Sequence, residues 1–399
     1  MTTSERPAPA PTPTVDPATL LRGRDLLCFS HDWAGDPLSK THLMRLLARE
    51  NRVLWVNSIG YRAPTASKAD IGRAFRKVRA AMGPVREVEP NIFVLNPLAI
   101  PAYGWPALRE LSRRLLVAQV RRAMRRLRFT RPINWVFNPA AGLVAGRLGE
   151  ERIYYYCVDE YTAFTGVASG ALAGIEADLL ARADAVFVSS QALLDSKSPA
   201  NPRTFLVRHG VDYEQFRAAL DASTVVPPEV AGLPRPVLGY FGLIARDWVD
   251  VDLLAHLAGR FPDASIVLLG KSTMDLSRLE ALPNVHILGR KPYADLPAYC
   301  KGFDVALIPF PVSEVTRNAN PLKAREYLAA GLPVVSTAVP EVEVLGLCRI
   351  GADAGGFADQ VAEALREPGP SAARSEAVRG QGWSARLDEV RAHLAAVGR

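Results

Sequence analysis

The sequence predicts an α/β protein of two Rossmann-like domains facing each other across a cleft, on three observations. From Arg24 onward, short apolar runs of strand character alternate with helical patterns, an order that builds parallel sheets with helices on both faces. A stretch holding Pro227, Pro228, Pro234 and Pro236 splits this alternation into two series and has the composition of an interdomain linker. With 399 residues, 49% of them hydrophobic, each series is long enough to form its own core.

In the first series strands are expected at 25–30, 52–57, 91–95, 133–137, 152–158, 185–189 and 204–207, with helices at 40–50 and 174–183. In the second, strands are expected at 236–240, 265–269, 285–288, 305–308 and 334–336, with helices at 251–259, 294–300, 321–330 and 356–365. The boundaries that follow are a disordered tail at 1–22, rich in Pro, Thr and Ala, an N-terminal domain at 23–209 and a linker at 210–234. A C-terminal domain at 235–378 and a last segment at 379–399, with a helix around 383–397, complete the chain. The tail lacks the charged start and apolar stretch of a secretion signal, and no apolar run approaches the ~18 residues that span a bilayer, so a cytoplasmic location is expected. Cys28, Cys157, Cys300 and Cys348 are scattered without CxxC spacing, so neither disulfides nor a zinc site is expected.

The most informative stretch runs from Asn320 to Thr337, NPLKAREYLAAGLPVVST. Asn320 is expected to cap a helix whose first residue is Pro321, and Gly331 to take the left-handed conformation that ends it, before a buried strand. Such a helix start carries unpaired N–H groups and a partial positive charge, so with Lys323 in its first turn it can receive a phosphate. Glu326 lies six residues from Asn320, roughly 9 Å along the axis. That is about the span from a diphosphate to its ribose, where a carboxylate can accept both hydrogens of the diol. The same residues also fit an ordinary surface pair, Lys323 with Glu326, in routine helix-to-strand punctuation.

This stretch, with Val339-Pro340-Glu341-Val342 after it, resembles the donor-sugar signature of GT-B fold glycosyltransferases, particularly the bacterial polysaccharide and teichuronic-acid type. The resemblance continues through Val207-Arg208-His209-Gly210-Val211-Asp212, similar to the family's interdomain hinge, and Val237-Leu238-Gly239-Tyr240-Phe241-Gly242, similar to its first donor-domain strand. The runs 282–289 and 303–310 extend it further. It implies a nucleotide diphosphate sugar as donor, with Glu326 on the ribose and the phosphates at the helix start around Asn320, Leu322 and Lys323. It also implies no resident cofactor, no required metal, and a final helix that crosses back to the N-terminal domain. UDP is favoured as the donor nucleotide. Two positions depart from the pattern. Asn318 stands where many retaining members carry an acid. Leu243 and Trp248 stand after Gly242 where many carry Arg and Lys, which leaves Arg246 or Arg317 as a substitute cation. Retention or inversion is therefore open.

Ligands gather at the carboxyl ends of strands in open α/β sheets, so the loops there come first. Ser30-His31-Asp32-Trp33-Ala34-Gly35-Asp36 follows the first strand, and Asp159-Glu160 follows the run 152–158. Inverting transfer needs a group that removes the acceptor proton. Asp159 is the first candidate, with His31 and Asp32 next. The plainer readings are a helix cap or structural hydrogen bonding for Asp159, acceptor positioning or a satisfied buried ring for His31, a turn for Asp36, and a cap for Ser190. His209 either touches donor phosphate or serves the turn around Gly210. The donor set is Glu326, Lys323, Leu322, Asn320, Arg246, Gly242 and Asn318.

The net charge of +7 is concentrated between residues 109 and 131, where nine arginines face one acid, Glu110. Leu108, Leu111, Leu115, Val120, Met124 and Leu127 recur there at helical intervals, so 108–128 is expected to be an amphipathic helix with a basic face. That face could rest on anionic headgroups at the inner side of a membrane, meet a lipid-linked acceptor, or simply be solvated. No nucleic-acid motif or aromatic platform accompanies the charge, so nucleic acid is not an expected partner. The expected activity is sugar transfer to a hydroxyl acceptor in surface polysaccharide or glycoconjugate assembly. A small natural-product acceptor and a catalytically silent nucleotide-sugar-binding scaffold are the alternatives.

Overall fold

The computed structural model describes residues 17, 19–59, 83–99, 105–165, 167 and 169–397. Most of the expected tail lies outside the described residues. Its described end is not loose, since Leu21 is buried in the N-terminal core.

The first sheet has eight strands, β1 (Asp25–Phe29), β2 (Arg52–Val56), β3 (Arg86–Glu89), β4 (Ile92–Leu95), β5 (Ile133–Val136), β6 (Arg152–Cys157), β7 (Ala185–Val188) and β8 (Thr204–Leu206). Their order is β3-β4-β2-β1-β5-β6-β7-β8, parallel except for β3 against β4. The second has β9 (Val237–Phe241), β10 (Ser265–Leu269), β11 (Val285–Gly289), β12 (Val305–Ile308), β13 (Val334–Thr337) and β14 (Arg349–Gly351), in the order β11-β10-β9-β12-β13-β14, all parallel. Runs such as LLCF in β1, IYYYC in β6 and VALI in β12 are buried throughout, as strands covered by helices on both faces must be. Strands β3 and β14 were not expected. The first is the polar run Arg86-Glu87-Val88-Glu89 and the second only three residues long, so neither has the apolar signature of a central strand.

Strand order reverses between β1 and β5 in the first sheet and between β9 and β12 in the second. The crevices outside the carboxyl ends of these strands are where such sheets hold ligands. Three expectations are corrected. The span 210–234 is not a free linker: Val211, Tyr213, Phe216, Ala219 and Val230 are buried in the C-terminal core, and helices run over Tyr213–Arg217 and Pro228–Ala231. The helix expected at 174–183 starts earlier, at Ser169. In the basic helix, Pro106–Leu127, the buried side is Ser112, Leu116, Val120, Ala123 and Met124, while Leu108 and Leu111 face solvent. The buried stripe thus runs through Ser112, Leu116 and Val120, and the first two leucines of the stripe read from the sequence lie off it.

The last helix, Trp383–Val397, inserts Trp383, Leu387, Val390 and Leu394 into the N-terminal core, so the chain ends on the domain where it began. Between the domains, Glu341 is almost fully buried and accepts hydrogen bonds from the Gln191 N–H (2.8 Å), Arg208 Nε (2.7 Å) and Asn320 Nδ2 (3.5 Å). Ser190 caps the helix Gln191–Lys197 and also donates to the Asn318 carbonyl (2.7 Å). Two further bridges cross at exposed positions, Asp36 with Arg290 (2.6 Å) and Thr165 with Asp247 (2.9 Å). Asp36 therefore joins the domains rather than only turning its own loop.

Candidate active site

The C-terminal wall of the cleft is organised by the helix Leu322–Ala329. Its N-cap is Pro321, with φ −65° and ψ 118°, and no side chain caps it. Asn320 was expected in that role and does something else. Its Nδ2 donates to the Ser189 carbonyl across the cleft (2.7 Å), and its Oδ1 accepts from Arg325 Nη1 (2.8 Å). Among the described residues no carbonyl accepts from the N–H groups of Leu322 or Lys323, so the helix start is open, as an anion site requires. Gly331, at φ 81°, ends the helix in the left-handed conformation expected of it. Leu322 reaches over to pack on the N-terminal core.

Lys323 does not lie on an open surface. Its ammonium sits 5.4 Å from the Tyr240 ring centre and 5.3 Å from that of Phe310, against the backbone of Gly242. Burial lowers its pKa, and the neighbouring Glu326 pulls the other way. Gly242 has φ 137°, and a Cβ there would fall 2.7 Å from Lys323 Nζ. Gly242→Ala is therefore expected to displace the ammonium and strain the backbone, lowering both melting temperature and nucleotide affinity. Gly259→Ala, in the helix Val251–Arg260 with nothing within 4 Å of the new methyl, is the control and should stabilise by about 0.5–1 kcal/mol. Thermal unfolding with and without nucleotide checks both.

Glu326 is 8% exposed, and among the described residues no group donates a hydrogen bond to its carboxylate. Burial raises its pKa, while Lys323 opposes the rise. A buried carboxylate left without donors is costly unless a ligand supplies them. This rules against the ordinary surface pair with Lys323. Tyr327 on the same helix turns its hydroxyl to the Phe241 N–H (2.8 Å), which fixes the helix against the end of β9. The remaining donor-set residues lie at the edge. Arg246 and Arg317 are exposed and without partners among the described residues, and the Asn318 side chain donates to the Glu314 carbonyl of its own short helix (2.8 Å). Trp248, which stands where many members of the resembled family carry a lysine, packs against Phe310 and Phe164 at the domain boundary.

On the N-terminal wall, Asp159 stands at the carboxyl end of β6. Burial pushes its pKa up to about 6; the Lys40 charge holds it down and Glu160 pushes it further up. Glu160, its apparent twin in the sequence, is engaged elsewhere: it pairs with Lys197 (2.8 Å) and accepts from the Thr162 hydroxyl (2.5 Å). His31 is kept neutral, its pKa lowered to about 3 by burial and by Lys40. Its Nδ1 meets Ser30 Oγ at 3.1 Å, and its Nε2 is buried with no partner. Asp32 is exposed and accepts from the Ser58 N–H (3.1 Å), which ties it to a neighbouring loop. His209 is buried, with a pKa lowered to about 3 by burial first and by Arg325 and Lys40, and its Nδ1 has no partner.

Sequence reasoning missed Lys40 and Tyr293. Lys40 reads as an ordinary helix lysine, yet it is 9% exposed and its charge acts on Cys28, His31, Asp159 and His209. The Tyr293 hydroxyl is buried without a partner, in the field of Glu326 and Asp212. A hollow of about 680 Å³ lies at the amino ends of the N-terminal strands, near Arg24 and Arg52. These arginines pair with Glu151 and Asp25, and the hollow faces away from the cleft.

Two parallel-sheet domains, each with its switch point turned to a shared cleft, define the architecture of a GT-B glycosyltransferase. Residues 235–367 match the family model described as glycosyl transferases group 1, which places the C-terminal domain in that family. TuaH of Bacillus subtilis (strain 168), named as a teichuronic acid biosynthesis glycosyltransferase, is 28% identical over 225 residues, 52% of this chain and 55% of its own. The chain thus spans about half the length of the curated relative it matches. Solved structures share the fold over nearly the whole chain. The sucrose-phosphate synthase of Thermosynechococcus elongatus has a TM-score of 0.69 at 17% identity, covering 94% of this chain and 99% of that one. An α,α-trehalose-phosphate synthase (UDP-forming) of Burkholderia vietnamiensis gives 0.67 at 13%, with 93% and 96% covered. Anabaena Alr3699/HepE in complex with UDP-glucose gives 0.60 at 14%, with 92% and 94% covered.

Proposed function

We propose that the protein transfers a sugar from a nucleotide diphosphate sugar, with UDP the favoured nucleotide, to a hydroxyl acceptor in polysaccharide or glycoconjugate assembly. The observation that carries this reading is Glu326, a nearly buried carboxylate with no donor among the described residues, on a helix whose start is open. The diphosphate would lie on the N–H groups of Leu322 and Lys323 with the Lys323 ammonium beside it, and the ribose diol would donate to Glu326. The acceptor would enter from the N-terminal wall. As its oxygen bonds to the anomeric carbon, the bond from that carbon to the diphosphate breaks, and the hydroxyl proton passes to Asp159. This is an inverting scheme. The helix start and Lys323 stabilise the charge on the leaving diphosphate, so no metal is invoked.

Thermal unfolding with a panel of nucleotide diphosphates and their sugars, in EDTA, tests the reading. One nucleotide at ~100 times its dissociation constant should add roughly 2.7 kcal/mol. The absence of a shift with every nucleotide would remove the donor site.

The acceptor reading extends to a lipid surface. Among the described residues no helix is long and apolar enough to cross a membrane. At the start of the helix Pro106–Leu127, however, Trp105 is 72% and Leu111 53% exposed, on a helix with exposed arginines further along it. An interfacial tryptophan with arginines suits anionic headgroups. The protein is expected to sediment with vesicles containing phosphatidylglycerol but not with phosphatidylcholine alone. The double variant Trp105→Ala/Leu111→Ala should lose at least half of that binding, and equal sedimentation of variant and wild type would contradict it.

A further inference from the structure

The donor helix is reached through a short segment that both domains hold. Only Ala319, Asn320 and Pro321 separate the end of the helix Glu314–Asn318 from Leu322, whose side chain packs on the N-terminal core. The Asn318 carbonyl accepts from the Ser190 hydroxyl (2.7 Å), and the Asn320 side chain donates to the Ser189 carbonyl (2.7 Å). Both partners stand just after β7, so the segment is tied at two points to the end of an N-terminal strand.

Glu341 joins the same place from the C-terminal domain. Its carboxylate, at the start of the helix Pro340–Leu345, belongs to a residue only 3% exposed. Oε1 accepts from the N–H of Gln191, the first residue of an N-terminal-domain helix (2.8 Å). Oε2 accepts from Arg208 Nε (2.7 Å), where the chain leaves that domain, and from Asn320 Nδ2 (3.5 Å). Arg325, buried on the donor helix itself, adds a third tie: its Nη1 donates to Asn320 Oδ1 (2.8 Å) and its Nε to Gln381 Oε1 (2.8 Å). The Gln381 carbonyl accepts from the Val211 N–H (3.0 Å), so the outgoing and returning crossings of the chain lie side by side at this junction.

A buried network in which each side chain is paired holds one geometry, because shifting one member strands the others. Two of the three donors to Glu341 come from outside the C-terminal sheet, so this carboxylate serves the junction rather than the core of its own domain. What the junction holds is the approach to the open N–H groups of Leu322 and Lys323. We propose that Glu341 and Ser190, acting through Asn320 and Asn318, are positioning residues for the donor diphosphate: they fix the helix start against the N-terminal domain, so the phosphate-receiving N–H groups are in place only while the two domains are docked. This rests on the reading of that helix start as the diphosphate site.

Calorimetric titration of UDP into the full chain, in EDTA, tests it. Glu341→Gln turns an amide donor toward Gln191, Arg208 or Asn320, and is expected to weaken UDP binding about tenfold relative to wild type. Ser190→Ala should weaken it by about three- to tenfold, and Ser190→Thr, which keeps the hydroxyl, should bind as wild type does. Asn320→Ala combined with Glu341→Gln should lose no more than the larger single loss, since both act through one segment. Asp304→Asn is the control for stability alone. Asp304 is buried at the amino end of β12, away from the junction, and accepts from the Val237 N–H (2.6 Å), so its variant should melt lower and bind UDP unchanged. If Glu341→Gln does not fold, the two Ser190 variants carry the test. UDP that binds wild type and the Glu341 and Ser190 variants alike would overturn the positioning role and leave the donor site standing. Losses that multiply in the double variant would also overturn it, by placing Asn320 against the donor directly, and so would an equal loss in Asp304→Asn. Wild type that binds no UDP would overturn the donor reading, and this inference with it.

Discussion

Asp159→Asn is expected to lower kcat by roughly 10²- to 10⁴-fold while nucleotide affinity stays within a few-fold of wild type. The asparagine keeps the size of the side chain and the surroundings of β6 but cannot accept a proton. Burial raises the Asp159 pKa to about 6, with Lys40 acting against the rise. A base works only when deprotonated, so wild-type kcat/KM should climb through pH 6 and level off above pH 7. Lys40→Met removes the charge that favours the carboxylate and should move this acid limb to higher pH. Glu160→Gln separates the catalytic reading from a structural one. It breaks the ion pair with Lys197 and should lower the melting temperature without reproducing the loss in kcat. A scaffold without chemistry would bind nucleotide in both proteins and turn over in neither. Turnover that survives in Asp159→Asn would place the base elsewhere.

Glu326→Gln should move affinity and stability in opposite directions. Charge-assisted hydrogen bonds from the two ribose hydroxyls are worth about 1.5–3 kcal/mol each when one partner is ionised, so nucleotide affinity should fall ~100-fold or more. The ligand-free variant should melt no lower than wild type, and higher at alkaline pH. The sign follows from the direction of the shift. The folded pKa of Glu326 is raised above its unfolded value, so the folded state keeps its proton longer and wild type loses stability as pH rises through that interval. Glutamine has no such loss, and the gap between the two proteins should widen between pH 5 and 8. A variant that melts lower at every pH and still binds nucleotide would show that Glu326 holds the fold together instead.

The parts of the site legible in the sequence are those written into a single element. Gly331 ends the donor helix, Lys323 and Glu326 are spaced along it, and Asp159 follows a run of strand residues, all of which local pattern supplies. Asn320 was misread because the strongest local role for an asparagine before a helix is a cap, whereas a tertiary partner, the Ser189 carbonyl across the cleft, takes its side chain. Lys40 was missed for the opposite reason. In SKTHLMRLLA it looks like any helix lysine, and only the packing of that helix against β2 and the last helix buries it, with the His42 ring stacked on Trp383 at 5.4 Å. Leu108 and Leu111 satisfied a helical period yet stay exposed. Periodicity specifies a face, and it does not say how much of that face is covered.

A crystal structure with UDP in EDTA tests the central claim most directly. The account expects the diphosphate against the N–H groups of Leu322 and Lys323, the Lys323 ammonium turned to it, and both ribose hydroxyls within hydrogen-bonding distance of the Glu326 carboxylate. UDP bound elsewhere, or bound here with its ribose turned away from Glu326, would contradict it.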